Sequence, residues 1–101
     1  MKILREPEEW AQGAIGLPME ELSHGVLFVL PHLAHWPVTM AHVMIPLDVY
    51  WLGAGGMVLH RMTLLPGMDP YWPDQPATYI LELPMREEPA YTVGDFVEVP
   101  P

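Results

Sequence analysis

Met40, His42 and Met44 set a thioether, an imidazole and a second thioether at alternate positions of the stretch MAHVMIPLD, residues 40–48. Thioether and imidazole together suit Cu(I). On a strand, alternate residues share one face about 6.7 Å apart, so the two Met Cα atoms would stand roughly 13 Å from each other. Strand side chains project nearly perpendicular to the sheet. One ion could then reach His42 and one Met, with its other ligands drawn from elsewhere. Methionine is also a common core filler, and core packing outweighs copper binding here. His32 and His35 could share a metal across one helical turn. Two ligands do not make a site, and a third (His24, His42 or His60) is not fixed by spacing. Neither a metal site nor a cofactor is expected.

The acids with the clearest chemical potential are Asp48, Glu82 and Asp95. Two carboxyls close in space could divide acid and base roles. Each also has a structural reading. Asp95 follows Gly94 and suits a turn that caps loop amides. Asp48 follows Pro46 and could tie a bulge. Glu82 lies between Leu81 and Leu83, so on a strand it points away from both, with Arg61 as a candidate partner. The aromatics Trp36, Tyr50, Trp51, Tyr71 and Trp72 are many for a chain of 101 residues. Tyr71 and Trp72 sit between Pro70 and Pro73. Aromatics on a stiffened loop can anchor a ligand or partner, or close over the core. The run Gly53-Ala54-Gly55-Gly56 lacks the Lys and following helix of a phosphate loop. Ser23, the only serine, lies outside any nucleophile motif.

The elements that position these residues are short. Thirteen prolines interrupt the chain, and each removes a donor and fixes φ, which cuts helices and stops strands. Residues 6–14 and 18–22 suit short helices, the first with Pro7 in its opening turn. Residues 26–30 (VLFVL) form an apolar run between Gly25 and Pro31, as in a buried strand. Residues 31–37 read as a connector. Residues 38–45 read as a second buried strand. Residues 47–52 and 57–64 make a hairpin around the glycine-rich turn. Residues 65–76 are a long Pro-rich loop, 77–83 a strand, 84–89 at most a helical turn, 93–95 a turn and 96–99 a last strand. The expectation is a mostly β fold: a small antiparallel, barrel-like sheet of about six strands with two or three short helical turns.

Composition bounds the rest. The length suits one domain spanning 1–101, able to bury roughly 65% of its unfolded surface. Half the residues are hydrophobic and 17% are charged, as in a globular chain. No apolar run approaches a membrane span, and the N-terminus lacks the long apolar stretch of a secretion signal; a cytoplasmic location is expected. The absence of cysteine excludes disulfides and thiolate chemistry. The formal net charge is −9, and the basic residues Lys2, Arg5, Arg61 and Arg86 are scattered. Phosphate neutralisation needs clustered Lys and Arg, so neither nucleic acid nor an anionic membrane is an expected partner.

Several stretches taken together resemble the family called domain of unknown function 192. They are Gly16-Leu17-Pro18-Met19, Gly25-Val26-Leu27-Phe28-Val29-Leu30-Pro31, Met40-Ala41-His42-Val43-Met44-Ile45-Pro46-Leu47-Asp48, Ile80-Leu81-Glu82-Leu83 and Val93-Gly94-Asp95. They run in order from residue 16 to residue 99 with the family's spacing. The resemblance implies a β-rich fold and no agreed activity. The chain departs from the family pattern at Ala41-His42, where Lys-Asn is usual, at Val38-Thr39, where an aromatic pair is usual, and at Arg86, where glycine is frequent.

The reading these features favour is a non-enzymatic binding module. Its small-molecule or protein partner would meet the 65–76 loop and the 40–48 motif, at His42, Asp48, Glu82, Trp36, Tyr71 and Trp72. Two alternatives are a metal-assisted hydrolase or lyase built on histidines and carboxylates, and a homodimeric interaction domain.

Overall fold

Strand β3 (Leu47–Leu52) is buried at every position, although it contains an aspartate. A strand shows side chains to both faces of its sheet, so this sheet must be covered on both sides. The computed structural model, which describes residues 1–68 and 70–101, has that architecture. Asp69, part of the expected 65–76 loop, lies outside the described residues. Five strands form one open sheet in the order β1-β2-β5-β3-β4. They are β1 (Lys2–Leu4), β2 (Val26–Ala34), β3, β4 (Val58–Leu64) and β5 (Ala77–Pro84). Pairing is antiparallel except between β1 and β2, which are parallel. Two short helices, α1 (Pro7–Gln12) and α2 (Met19–Leu22), link β1 to β2.

The β-rich expectation holds, and the barrel does not. The sheet has five strands and does not close. It also gains a strand at the N-terminus, β1, where charged residues flank too short an apolar run to be recognised. Residues 96–99 contribute only an isolated bridge, Met57 to Phe96. Residues 84–89 hold no helical turn. The strand beginning at Val26 does not stop at Pro31. Its register against β5 shifts between Val29 and Ala34, and the proline sits inside that irregularity, where a ladder donor is not required.

The largest departure is residues 38–45, which are not a strand. Val38 exchanges backbone hydrogen bonds with Tyr71, both at 2.9 Å, and Met40 N donates to Met68 O at 3.1 Å. The chain then turns: Val43 N reaches Met40 O, and His42 adopts φ 64°. Met40 and Val43 are buried, while His42 and Met44 are exposed, Met44 at 83%. Burial therefore loses its period of two after Met40. The Met-x-His-x-Met face assumed for a strand does not exist.

Each side of the sheet has its own core. One contains Val26, Phe28, Val49, Trp51 and Ile80, packed under α1, α2 and residues 36–43. The other contains Leu27, Tyr50, Leu52, Val58 and Leu81, covered by Tyr91, Val97 and Val99. The hairpin expected over 47–64 is present, closed by a 3-10 turn at Ala54–Gly56. Gly56 is required there. Its φ is +89°, and a Cβ would overlap the Val97 carbonyl oxygen. That close approach lets Val97 N bond Gly56 O at 2.9 Å and brings the C-terminal segment onto the second face.

Candidate functional site

β5 is the central strand, and Glu82 lies toward its C-terminal end, opposite Val26 on one side and Val49 on the other. Residues directly opposite in a ladder share a face, so the carboxyl points into the core beneath α1. Glu82 is only 4% exposed. Among the described residues no donor or cation pairs with it. Burial alone pushes its pKa up to about 8, because desolvation disfavours the charged form. At neutral pH it is mainly a carboxylic acid.

This carboxyl lines a pocket of about 130 Å³. α1 and its C-terminal turn supply Trp10, Gln12 and Ala14, β2 supplies Phe28, and the covering segment supplies Trp36 and Val43. Local sequence explains this wall. Pro7 opens α1, and the Glu9 carboxylate accepts hydrogen bonds from Arg5 N and Glu6 N, both at 3.0 Å, which fixes the first turn. Gly13 ends the helix at φ +48°, with its Cα side packed on the Phe28 ring. The Trp10 and Trp36 ring centroids lie 6.3 Å apart at 57°. Trp10 Nε1 donates to Leu4 O at 3.2 Å, and Trp36 Nε1 donates to His32 O at 2.9 Å. Both indole donors are thus spent on backbone, and the rings offer the pocket carbon and π surface.

The other candidate residues are placed elsewhere. Asp48 faces the opposite side of the sheet, opposite Thr63 and Leu83. Its Oδ1 accepts from Thr63 Oγ1 at 2.7 Å and from Arg61 at 3.1 Å, and its Oδ2 accepts from Arg86 N at 3.2 Å. Asp48 therefore ties β3, β4 and the segment after β5 together. Arg61 is its partner, not that of Glu82. His42 lines a separate groove with Met19 and Met44. Tyr71 is half-buried, stacked on His60 and bonded to His60 Nε2 through its hydroxyl at 2.7 Å. Burial, and then the nearby Asp74, raise its pKa. It also packs on Trp51, with centroids 5.4 Å apart. Trp72 is 61% exposed. His35 Nδ1 bonds Pro73 O at 3.1 Å, which holds the Pro-rich loop to the end of β2. Asp95 accepts from Thr92 N and Oγ1, as a turn aspartate should. Among the described residues no three of His, Asp or Glu converge as metal ligands.

Of the six candidate residues, then, Glu82 and Trp36 share a pocket, with Tyr71 behind it through the Val38 bridge. Trp10, Phe28 and Val43 escaped the sequence reading. Trp10 is the only aromatic of the stretch 6–14 expected to be helical; that was the available signal.

A family model matches residues 1–98. The chain belongs to the DUF192 family. The family is described as Uncharacterized ACR. No curated protein matches the chain. Two solved structures share the fold. One is a proposed transcription regulator from Sinorhizobium meliloti 1021, at TM-score 0.72 and 20% identity, covering 81% of this chain and 65% of that one. The other is a protein of unknown function from Novosphingobium aromaticivorans DSM 12444, at TM-score 0.64 and 25% identity, covering 81% and 60%. This DUF192 chain therefore spans less than two thirds of either neighbour. Within it, the Ile-Pro-Leu-Asp motif supplies the structural carboxylate Asp48, and the Leu-Glu-Leu motif supplies the unpaired carboxyl Glu82. No helix is long and apolar enough to cross a membrane among the described residues.

Proposed function

We propose that this DUF192 chain is a small-molecule binding domain whose ligand enters the pocket between the sheet and α1. The observation that carries this is the Glu82 carboxyl, only 4% exposed, opening onto an aromatic pocket with no hydrogen-bond partner among the described residues. The carboxyl oxygens reach the cavity surface, where a ligand can meet them. A mostly apolar cavity with one convergent polar group is the usual form of a ligand site.

The site is narrower than the sequence suggested. It uses Glu82, Trp36 and Trp10, with Tyr71 as support, and leaves out His42, Asp48 and Trp72. A hydrolase built on Asp48 and Glu82 is disfavoured because the two carboxyls face opposite sides of the sheet. Direct DNA binding, raised by the Sinorhizobium neighbour's description, is disfavoured by a net charge of −9 and by the pairing of Arg61 with Asp48.

The test is a fragment screen by two-dimensional NMR of ¹⁵N-labelled protein. Hits should shift the indole N–H signals of Trp10 and Trp36 and lose affinity in a Trp36→Ala variant that keeps its fold. Hits that shift other regions and leave both indoles unmoved would place the ligand elsewhere.

A further inference from the structure

We infer that the ligand of this pocket is a small organic cation, a methylated ammonium compound, held by Glu82 as its carboxylate and by the faces of Trp10 and Trp36. The inference rests on the pocket reading and specifies its chemistry.

The argument starts from what the pocket can offer. An anion needs a positive charge to compensate it. The Trp10 and Trp36 indole N–H groups already serve Leu4 O and His32 O. Gln12 Nε2 donates to Ile15 O at 2.8 Å. Thr39 Oγ1 accepts from Ala41 N at 3.1 Å and keeps its O–H to donate. No Lys, Arg or His lines the cavity among the described residues. What is left is the Thr39 hydroxyl, one carboxyl and several aromatic faces, with no positive charge to hold an anion. Aromatic faces are negative at their centres and attract cations, most strongly when water is excluded. Methylated ammonium groups combine charge with an apolar surface that suits a hydrophobic wall. The volume, about 130 Å³, fits a compact ligand rather than a chain. The formal charge of −9 also draws cations towards the surface.

Binding has a proton balance. The groups facing Glu82 are Val26 from β2, Val49 from β3, and the uncharged residues of α1 and the covering segment. Glu8 and Glu9 of α1 line a different cavity, with Lys2. Glu82 is the one titratable group of the pocket among the described residues, and it is protonated at neutral pH. A cation entering beside it favours the ionised form, so Glu82 releases its proton to solvent as the cation binds.

Choline and its neutral carbon isostere, the dimethylbutanol in which carbon replaces nitrogen, are the probes. Calorimetric titration of the whole chain should show choline binding at least about tenfold tighter at pH 8 than at pH 6. Titrations in buffers of different ionisation enthalpy should show net proton release, roughly half to one proton per choline, at pH 7. The isostere should bind at least tenfold more weakly at pH 8.5. A Glu82→Gln variant, checked for fold by NMR, should lose the pH dependence and at least tenfold in choline affinity. Equal binding of the isostere with no proton release would overturn the cation and leave the pocket standing, as would unchanged choline binding by Glu82→Gln. Failure of both probes, with fragments that never shift the two indoles, would remove the pocket reading as well. Phosphatidylcholine vesicles separate a free cation from a lipid headgroup. No co-sedimentation is expected, and co-sedimentation would overturn the free-ligand assignment.

Discussion

Asp48 and Glu82 lie on adjacent strands one register step apart, yet they face opposite sides of the sheet. Val49, not Asp48, stands opposite Glu82, and Leu83 stands opposite Asp48. That single step separates two carboxyls into different roles. Asp48 is hydrogen-bonded through both oxygens and structural; Glu82 has no partner among the described residues and faces a cavity.

The Asp48 role predicts a stability cost with no effect on ligands. Asp48→Ala leaves the Thr63 hydroxyl, the Arg86 amide and a partly buried guanidinium without their acceptor. Removing one member of a buried pair costs about 3–5 kcal/mol. Arg61 is 27% exposed, so the lower end, about 3 kcal/mol, is expected. Urea unfolding should show it as a lowered midpoint at unchanged slope. A double-mutant cycle with Arg61→Ala should return a coupling of at least about 0.5 kcal/mol.

Glu82 predicts an unusual pH profile. Below about pH 4.5 the carboxyl holds its proton in both the folded and unfolded chains and does not tilt the balance. Between pH 4.5 and about 8 the unfolded chain ionises first, so stability falls as pH rises, by roughly 1.4 kcal/mol per unit. Above that range both states are ionised and the penalty stays constant at a few kcal/mol. Glu82→Gln should remove this slope and make the protein more stable than the parent at pH 9. Thermal unfolding across pH checks both points, and a flat difference between parent and variant would contradict them.

Gly56 and Gly55 form a matched pair. Both have positive φ, but only Gly56 has the Val97 carbonyl against its missing Cβ. Gly55→Ala should cost about 1 kcal/mol, the ordinary strain of a left-handed alanine. Gly56→Ala should cost more than twice that, because Val97 must also move off the second core. Tyr91 and Val97 signals should shift in the Gly56 variant alone.

The Tyr71 hydroxyl ties the Pro-rich loop to β4 through His60. Tyr71→Phe should cost about 1 kcal/mol, as for one hydrogen bond, and should leave choline binding within twofold. A large loss of affinity would make Tyr71 a ligand contact rather than a support.

The hairpin, β5 and the two short helices were legible in the sequence because each carries a local signal. Gly53–Gly56 turns the chain, Pro7 starts α1, and 77–83 has β-rich residues between prolines. Residues 38–45 were misread because β-branched, apolar composition is shared by strands and by segments laid over a core. Only tertiary contacts, Val38 with Tyr71 and Met40 with Met68, decide between them. Strand β1 was missed because it pairs in parallel with a strand more than twenty residues away, which leaves no local trace. The direction of Glu82, away from Leu81 and Leu83, was readable from strand alternation. Its partner was not, since which face α1 covers is a property of the whole sheet. The barrel-like expectation fails because 38–45 and 96–99 are not strands and β1 and β4 each pair on one side only, leaving two open edges.

The most direct test of Glu82 as the anchor of the pocket is a ¹³C-detected NMR titration of its side-chain carboxyl in the free protein. The account predicts a midpoint near pH 8, with the Trp10 and Trp36 indole signals shifting along the same curve. A midpoint in the ordinary carboxylate range near 4.5, with both indoles unmoved, would mean that the carboxyl is solvated or paired and does not face the pocket.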